Sequence, residues 1–192
     1  AQRAQDRERL MATQRRIREI QGGELGTMLS ARVASDTPFV ERLVAFWSNH
    51  LCVSVAASRQ VAALAGHYER TAIRPHVLGN FTDMVMASAR HPAMLFYLDN
   101  VQSIGPGSRA AQRRGRGGRT RGLNENYARE LMELHTLGVD GGYSQQDVEQ
   151  LARVLTGWTT SGAGPGSRPD EPLGFVFRPF VHEPGANTVL GK

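Results

Sequence analysis

The sequence predicts a mainly α-helical protein: an irregular multi-helix domain with two long loops and one short strand near the C-terminal end. Apolar residues recur every three or four positions along most of the chain, as on the buried face of a helix. Helix start signals precede several of these stretches, for example Ser144 followed three residues later by Asp147. Residues 103–121 are rich in arginine and glycine, and residues 160–174 in glycine, proline and serine, so both stretches predict flexible loops.

Composition limits the class of protein. With 192 residues, 40% of them hydrophobic, the chain is long enough for one sizeable core, so we expect a single helical domain over residues 1–192. It contains no run of about 18 apolar residues and no signal-like stretch at its start. The single cysteine, Cys52, excludes an internal disulfide and a cysteine-based zinc site. Because it lies between Leu51 and Val53, we expect Cys52 to be a small core residue.

Local signals set the expected order of the elements. Gly22-Gly23 should end a first, sparsely apolar helix, and Thr37 before Pro38 is typical of a helix start. The expected helices are 1–21, a short one at about 25–33, 38–53, 60–74, 81–89, one from Pro92, 124–137 and 145–156. Phe175 and Phe177 predict one short strand, whose partner would follow Lys192.

The stretch 124–138 combines amides, carboxylates, an arginine and a histidine in one predicted helix. At about 100° per residue, Asn126, Glu130 and Glu133 fall on one face with Arg129 beside them. Asp99 ends the helix before the arginine-rich loop that leads to this stretch, and loops between polar clusters often carry a site. The candidate ligand-binding residues are therefore Asp99, Asn126, Arg129, Glu130, Glu133 and His135.

Two interpretations of these residues remain open. Glu130 and Glu133 could share a metal ion or shift each other's pKa, with His182 as a further candidate metal ligand. The Glu-x-x-His spacing that is typical of di-metal bundles is absent, however. Alternatively, Arg129 pairs with Glu133 one turn later while the amides tie neighbouring loops together. The polar residues would then form a structural network.

The positive charge of the chain is concentrated in one place. Six arginines and no acidic residue lie between Arg109 and Arg121, so the rest of a chain with net charge +5 is close to neutral. Glycines between the arginines favour a flexible connection between two helices. The alternative is a contact with a polyanion, such as RNA or an acidic glycan, through Arg109–Arg121.

Several blocks of the sequence carry a resemblance to a known family. The longest is GLNENYARELMELHTLGVDGGYSQQDVEQLARVLTGWT, from Gly122 to Thr159. The shorter ones are 46–50 (FWSNH), 68–76, 91–100 (HPAMLFYLDN), 182–185 (HEPG) and 188–191. From about Val40 to Lys192 the chain resembles the bacterial family known as domain of unknown function 1800. The resemblance implies an internal piece of a longer protein that is exported to the periplasm or the cell exterior, with later helical sequence packing on it. It implies no activity.

Two classes of function follow. The first is a domain with a polar ligand-binding, metal-binding or catalytic site on the helix 124–137. The second is a structural or interaction module of an exported protein, in which the same residues form a buried polar network. The sequence has no phosphate loop, dinucleotide fingerprint or nucleophile elbow, so it assigns no reaction and no cofactor.

Overall fold

The structure, a computed structural model, describes residues 2–114, 122–162 and 172–192. Within these ranges it contains eight α-helices and one two-stranded antiparallel sheet, so the protein is mainly α-helical, as predicted. The chain forms two compact units, Ala1–Ser88 and Ala89–Lys192, and the expectation of a single domain stays a prediction.

Unit 1 is a series of helices joined by short turns. Its elements are α1 (Gln2–Ala34), α2 (Pro38–His50), α3 (Arg59–Tyr68), a π-helix (Glu69–Ile73), a 3-10 turn (Arg74–His76) and most of α4 (Phe81–Arg90). Pro38 starts α2, as predicted, because its fixed backbone angle suits the first helical position and it lacks the N–H that would go unpaired there. The Ser58 hydroxyl accepts a hydrogen bond from the N–H of Val61 at 3.2 Å and caps α3.

The helix α1 is continuous, so the predicted break at Gly22-Gly23 is wrong. Strong helix formers flank the glycines, and each glycine costs only about 1 kcal/mol in a helix. Packing of α1 along α3 offsets this cost, as do ion pairs of Glu24 with Arg70 and of Arg32 with Glu69. None of the residues of α1, all of which are described, is buried.

The core of unit 1 is built from α2, α3, the π-helix and α4. Its buried side chains include Val44, Leu51, Val61, Ala62, Tyr68, Ala72, Ile73 and Met84. The Tyr68 hydroxyl donates to the carbonyl oxygen of Leu51 at 2.7 Å and lies 2.7 Å from the Ser88 hydroxyl oxygen. Burial raises the pKa of Tyr68 well above its ordinary value, so the ring stays neutral.

Cys52 is exposed, so its prediction as a core residue is wrong. The helix α2 ends at His50, three residues earlier than predicted, and the chain turns at Leu51. Leu51 is fully buried, whereas Cys52 follows it outside the helix and leaves the buried face.

Unit 2 combines the end of α4 and six further helical elements with the sheet. Its elements are the end of α4, α5 (Pro92–Tyr97), a 3-10 turn (Asn100–Gln102), α6 (Arg109–Arg114), α7 (Glu125–Glu130), a π-helix (Leu131–Thr136), α8 (Gln145–Leu155), β1 (Trp158–Thr160) and β2 (Phe175–Phe177). Trp158 lies opposite Phe177, and Thr160 opposite Phe175. The strand at Phe175 therefore pairs with β1, and the expectation that its partner follows Lys192 is wrong.

Tyr127 belongs to the core of unit 2. It is fully buried, and its hydroxyl donates to the carbonyl oxygen of Ala89 at 2.6 Å. The side chains buried in this unit include Ala93, Met94, Leu95, Leu98, Ala128, Met132, Val148, Ala152 and Leu155. The apolar face predicted for α8 is confirmed, because Val148, Ala152 and Leu155 on that face are buried.

Part of the stretch predicted to be a flexible loop is helical. Arg109–Arg114 form α6, and Ala110 is 3% exposed in a cluster with Ile104 and Val181. The N–H of Ala110 donates to the carbonyl oxygen of Phe180 at 3.0 Å. Alanine and arginine favour a helix when one face can be buried in this way. Residues 115–121 lie outside the described residues, and the polyanion contact stays a prediction.

The second predicted loop, 160–174, also begins inside regular structure. Thr160 belongs to β1 and is fully buried, and Ser161 is 4% exposed. The N–H of Ser161 donates to the carbonyl oxygen of Gly174 at 3.0 Å, which extends the pairing of the two strands. Residues 163–171 lie outside the described residues.

Candidate functional site

Asn124 starts α7 and ties it to an earlier loop of unit 2. Its side-chain oxygen accepts from the N–H of Asn126 at 2.9 Å, and its side-chain amide donates to the carbonyl oxygen of Leu98 at 2.8 Å. The N–H of Asn124 donates to the Ser103 hydroxyl oxygen at 3.1 Å. The side chain of Asn126 itself is exposed. Asn124, at the start of the predicted helix, therefore has a structural role.

Arg129 is the centre of a charge network that joins α7 to the start of α8. Its guanidinium lies 3.3 Å from a carboxylate oxygen of Glu133 and 3.7 Å from one of Glu125. It also donates to the side-chain oxygen of Gln145 at 2.7 Å, and the amide of Gln145 donates to Glu125 at 2.8 Å. Partial burial of the nearby Tyr143 hydroxyl, together with the charge of Glu133, raises the pKa of Tyr143. The charged and amide groups of this network are therefore paired with one another.

The other candidate residues have different surroundings. Glu130 is half-buried at the end of α7, and no described residue forms an ion pair with it. His135 is 5% exposed, inside unit 2. Asp99 is exposed with φ of 56°, and it accepts a hydrogen bond from the side chain of Gln102 at 3.4 Å. Among the described residues, no group of three or more His, Cys, Asp and Glu side chains could hold a metal ion.

A change of helix type separates these side chains. Leu131–Thr136 form a π-helix, and the Thr136 hydroxyl donates to the carbonyl oxygen of Leu131 at 2.7 Å. A π-turn contains more residues than an α-turn, so it rotates the side chains that follow it. A regular α-helical face therefore does not describe His135, whereas Glu133 keeps its contact with Arg129 four residues earlier. The sequence carries no clear signal for such a turn.

Glu183 is a buried carboxylate that connects three segments of unit 2. It accepts from the N–H of Gly107 at 2.7 Å and forms an ion pair with Arg153 of α8 at 3.2 Å. Its own N–H donates to the Thr156 hydroxyl oxygen at 2.8 Å. The Glu183 side chain is 10% exposed. A buried charge needs such partners because its desolvation is costly.

The position of Glu183 depends on a glycine in the loop opposite. A Cβ at Gly105 would lie 2.5 Å from the backbone nitrogen and 2.6 Å from the Cα of Glu183. At this position only glycine allows the loop and the C-terminal segment to approach so closely. The N–H of Gly105 donates to the carbonyl oxygen of Val181 at 2.9 Å, which holds the two segments together.

His182, a candidate metal ligand, also has a structural contact. Its Nδ1 lies 2.7 Å from the carbonyl oxygen of Thr156, which requires a proton on Nδ1. The ring packs edge-to-face on Phe177 with 5.0 Å between the ring centroids. His182 thus helps Glu183 to attach the C-terminal segment to the end of α8.

Asn100, the residue after the candidate Asp99, contributes a buried amide. Its side-chain nitrogen donates to the carbonyl oxygens of Leu155 at 3.1 Å and Trp158 at 2.9 Å. The last carbonyl groups of a helix lack partners within the helix. Asn100 therefore satisfies the end of α8 and fixes the chain where it enters β1.

Unit 1 contains a second charge network, around its own π-helix. Arg74 makes two contacts with Glu41, at 2.5 and 3.0 Å, and one with Glu69 at 3.1 Å. Arg32 of α1 binds the other oxygen of Glu69 at 3.3 Å. The Glu41 side chain is 10% exposed, and the hydrogen bonds from Arg74 hold its pKa below the usual range. Arg74 and Glu41 are 33 positions apart, so no local sequence pattern pairs them.

The chain is thus a helical protein in which ion pairs and side-chain hydrogen bonds connect the segments within each unit. A model of the family described as Protein of unknown function (DUF1800) matches residues 1–192, and the chain belongs to this family. The match extends over the whole chain and so confirms the resemblance. No curated protein and no solved structure matches the chain. In the part of the chain that the structure describes, no helix is both long and apolar enough to cross a membrane.

Proposed function

We propose that this chain is an interaction module, and that α1 docks an amphipathic partner helix. The observation that carries this proposal is the exposure of α1, which has 33 residues and buries none of them. Leu25, Leu29 and Val33 are 53%, 50% and 87% exposed. Exposed apolar residues spaced four apart, on one side of a helix, are typical of a surface that binds a partner.

The exposed apolar residues share one face with two glycines. At about 100° per residue, Gly22, Leu25, Gly26, Leu29 and Val33 lie within an arc of about 100°, here called the α1 face. A Cβ added at Gly22 or Gly26 would meet no atom within 4 Å. Glycines four residues apart allow the backbone of a second helix to approach closely. The α1 face therefore offers a groove between apolar side chains.

Charge further defines the partner. Arg15 and Arg18 continue the α1 face towards its N-terminal end, and both are exposed. Arg15 pairs with Glu19 at 3.1 Å, but exposed pairs of this kind contribute little stability. A partner helix with acidic residues at one end and leucines along the rest would match both parts of the face. This is the chemistry that we assign to the partner.

We infer that the polar residues of the helix 124–137 serve the structure of unit 2 rather than a ligand. Support for this comes from Arg129, whose guanidinium is shared by Glu125, Glu133 and Gln145, and from Asn124, whose amide binds Leu98. A ligand would have to break these contacts before it could use the same groups. The alternative site on this helix has no comparable support.

Two leucine substitutions of glycine test the docking proposal, because one lies on the α1 face and the other does not. The probe is a labelled synthetic helix with leucines on one side and glutamates at one end, and its binding is followed by fluorescence anisotropy. Gly26→Leu should weaken binding at least tenfold by blocking close approach, while Gly23→Leu should leave it unchanged. Both variants should stay folded, since no atom lies within 4 Å of either added Cβ.

Two results would overturn the proposal. The first is equal affinity of the probe for wild type, Gly26→Leu and Leu29→Glu. The second is a dimer of the chain, seen by light scattering and lost in Gly26→Leu, because a second copy would then be the occupant of the α1 face.

A further inference from the structure

We propose that unit 1 contains a binding site for an uncharged, mainly apolar small molecule with one hydrogen-bonding group. The site is a cavity of about 520 Å³ between α1 and α3, partly open to solvent. Pockets that hold drug-sized ligands have volumes of about 300–1,000 Å³. The cavity shares Leu25 with the α1 face, but binding of a small molecule here is a different role from the docking of a helix on that face.

Apolar side chains from three segments form most of the cavity wall. They come from α1, from the turn after α2 and from α3, and they include Leu25, Met28, Val53, Val55, Ala62 and Ala65. Small alanines on α3 leave the space, and the longer side chains of α1 cover it. Apolar surface that faces water in a concave site gains free energy when an apolar ligand replaces the water. The wall therefore selects a ligand with an apolar body.

The charges at the edge of the cavity are already paired with one another. Arg70 donates to Glu24 at 2.8 Å, and Arg74 donates to Glu69 at 3.1 Å. The hydrogen bonds from Arg70 also lower the pKa of Glu24, which keeps that pair ionised at neutral pH. An anionic or cationic ligand would have to compete with a group that the protein already supplies. The site thus favours an uncharged ligand.

Ser48 supplies one polar group in this apolar wall. Its hydroxyl oxygen is buried, lines the cavity and has no hydrogen-bond partner among the described residues. The other hydroxyls in the wall already have partners: that of Tyr68 contacts Leu51 and Ser88, and that of Thr27 donates to the carbonyl oxygen of Gly23. A buried hydroxyl without a partner is costly, and a ligand that bonds to it removes this cost. Ser48 therefore selects a ligand with one carbonyl, ether, hydroxyl or amide group.

The direct test uses Nile red, an uncharged apolar dye with a carbonyl group, and the anionic dye ANS as a comparison. Nile red should bind the full chain with one-to-one stoichiometry and a blue shift of its emission, and more tightly than ANS. Ala65→Phe fills the cavity from α3 and should weaken the binding of Nile red at least tenfold. Met28→Trp fills it from α1 and provides the same test if the first variant does not fold, as judged by circular dichroism.

Two matched variants separate this site from other sources of dye binding. Ser48→Ala should weaken binding of Nile red about fivefold through loss of one hydrogen bond, whereas Ser30→Ala, an exposed serine outside the cavity, should change nothing. Leu29→Glu should also have no effect, because Leu29 belongs to the α1 face and does not line the cavity. Docking of the helical probe depends on Leu29, so failure of one proposal is distinct from failure of the other.

Three results would overturn the proposal. One is undiminished binding of Nile red to folded Ala65→Phe and Met28→Trp. Another is binding that falls in Leu29→Glu, which would place the dye on the α1 face. The third is tighter binding of ANS than of Nile red, which contradicts an uncharged ligand.

Discussion

Replacing Glu183 by glutamine should lower the free energy of unfolding by about 2–3 kcal/mol. The carboxylate accepts a hydrogen bond from the N–H of Gly107 at 2.7 Å, and hydrogen bonds to charged groups contribute about 1.5–3 kcal/mol. Its ion pair with Arg153 adds less, because the Arg153 side chain is 33% exposed and water screens the interaction. Glutamine keeps the shape and one acceptor oxygen but loses the charge, and its NH₂ group cannot accept from either donor.

Urea unfolding followed by circular dichroism measures the change in free energy. In thermal unfolding, the melting temperature should fall by about 4–12 °C for a chain of this size. Glu149→Gln is the matched control. Glu149 lies on α8, as Arg153 does, and forms no ion pair with a described residue. A double-mutant cycle with Arg153→Met should give a coupling energy of about 0.5–1 kcal/mol. If Glu183→Gln is as stable as Glu149→Gln, the carboxylate does not connect the three segments and the reasoning is refuted.

Three further changes test other contacts by the same unfolding measurements. Tyr127→Phe removes one buried hydrogen bond and should cost about 1–1.5 kcal/mol; an unchanged midpoint would contradict the geometry. Gly105→Ala should cost about 1–3 kcal/mol through steric conflict, whereas Gly122→Ala, with no atom within 4 Å, should be neutral. Because Arg74 lowers the pKa of Glu41 in the folded state, the stability from this pair is present above pH 4.5, the ordinary value, and is lost as pH falls through the lowered pKa. Glu41→Gln should therefore be less stable than wild type at pH 7, and the difference in free energy of unfolding should shrink in acid. A difference that does not change with pH would show that the pair contributes nothing.

Local signals predicted much of the helical structure. Ser144 and Asp147 form the predicted capping box, with both the side-chain and backbone contacts present. The contact of Arg129 with Glu133 was also predicted, because residues four apart on a helix are neighbours. These features depend on a few consecutive residues, so the spacing along the sequence contains the information that determines them.

Contacts between distant segments were not predictable in this way. Glu41 and Arg74 are 33 positions apart, and Glu183 and Gly107 are 76 apart, so no spacing rule relates them. The continuity of α1 through Gly22-Gly23 likewise depends on its packing along α3, which overrides a weak local preference. Local spacing thus predicted the pair of Arg129 with Glu133, but it could not predict pairs between distant segments.

The π-helix Glu69–Ile73 makes the number of residues in this segment as important as their identity. It holds one residue more than the α-helical path, and the chain beyond it leads directly to Arg74. Thr71 within it is exposed, and among the described residues its hydroxyl bonds only to His67 in the preceding turn. Substitution of Thr71 by alanine should be nearly silent. Deletion of the same residue would restore an α-turn and rotate Arg74 by about 100°, away from Glu41. A scan of deletions would therefore find a constraint here that a scan of substitutions does not detect.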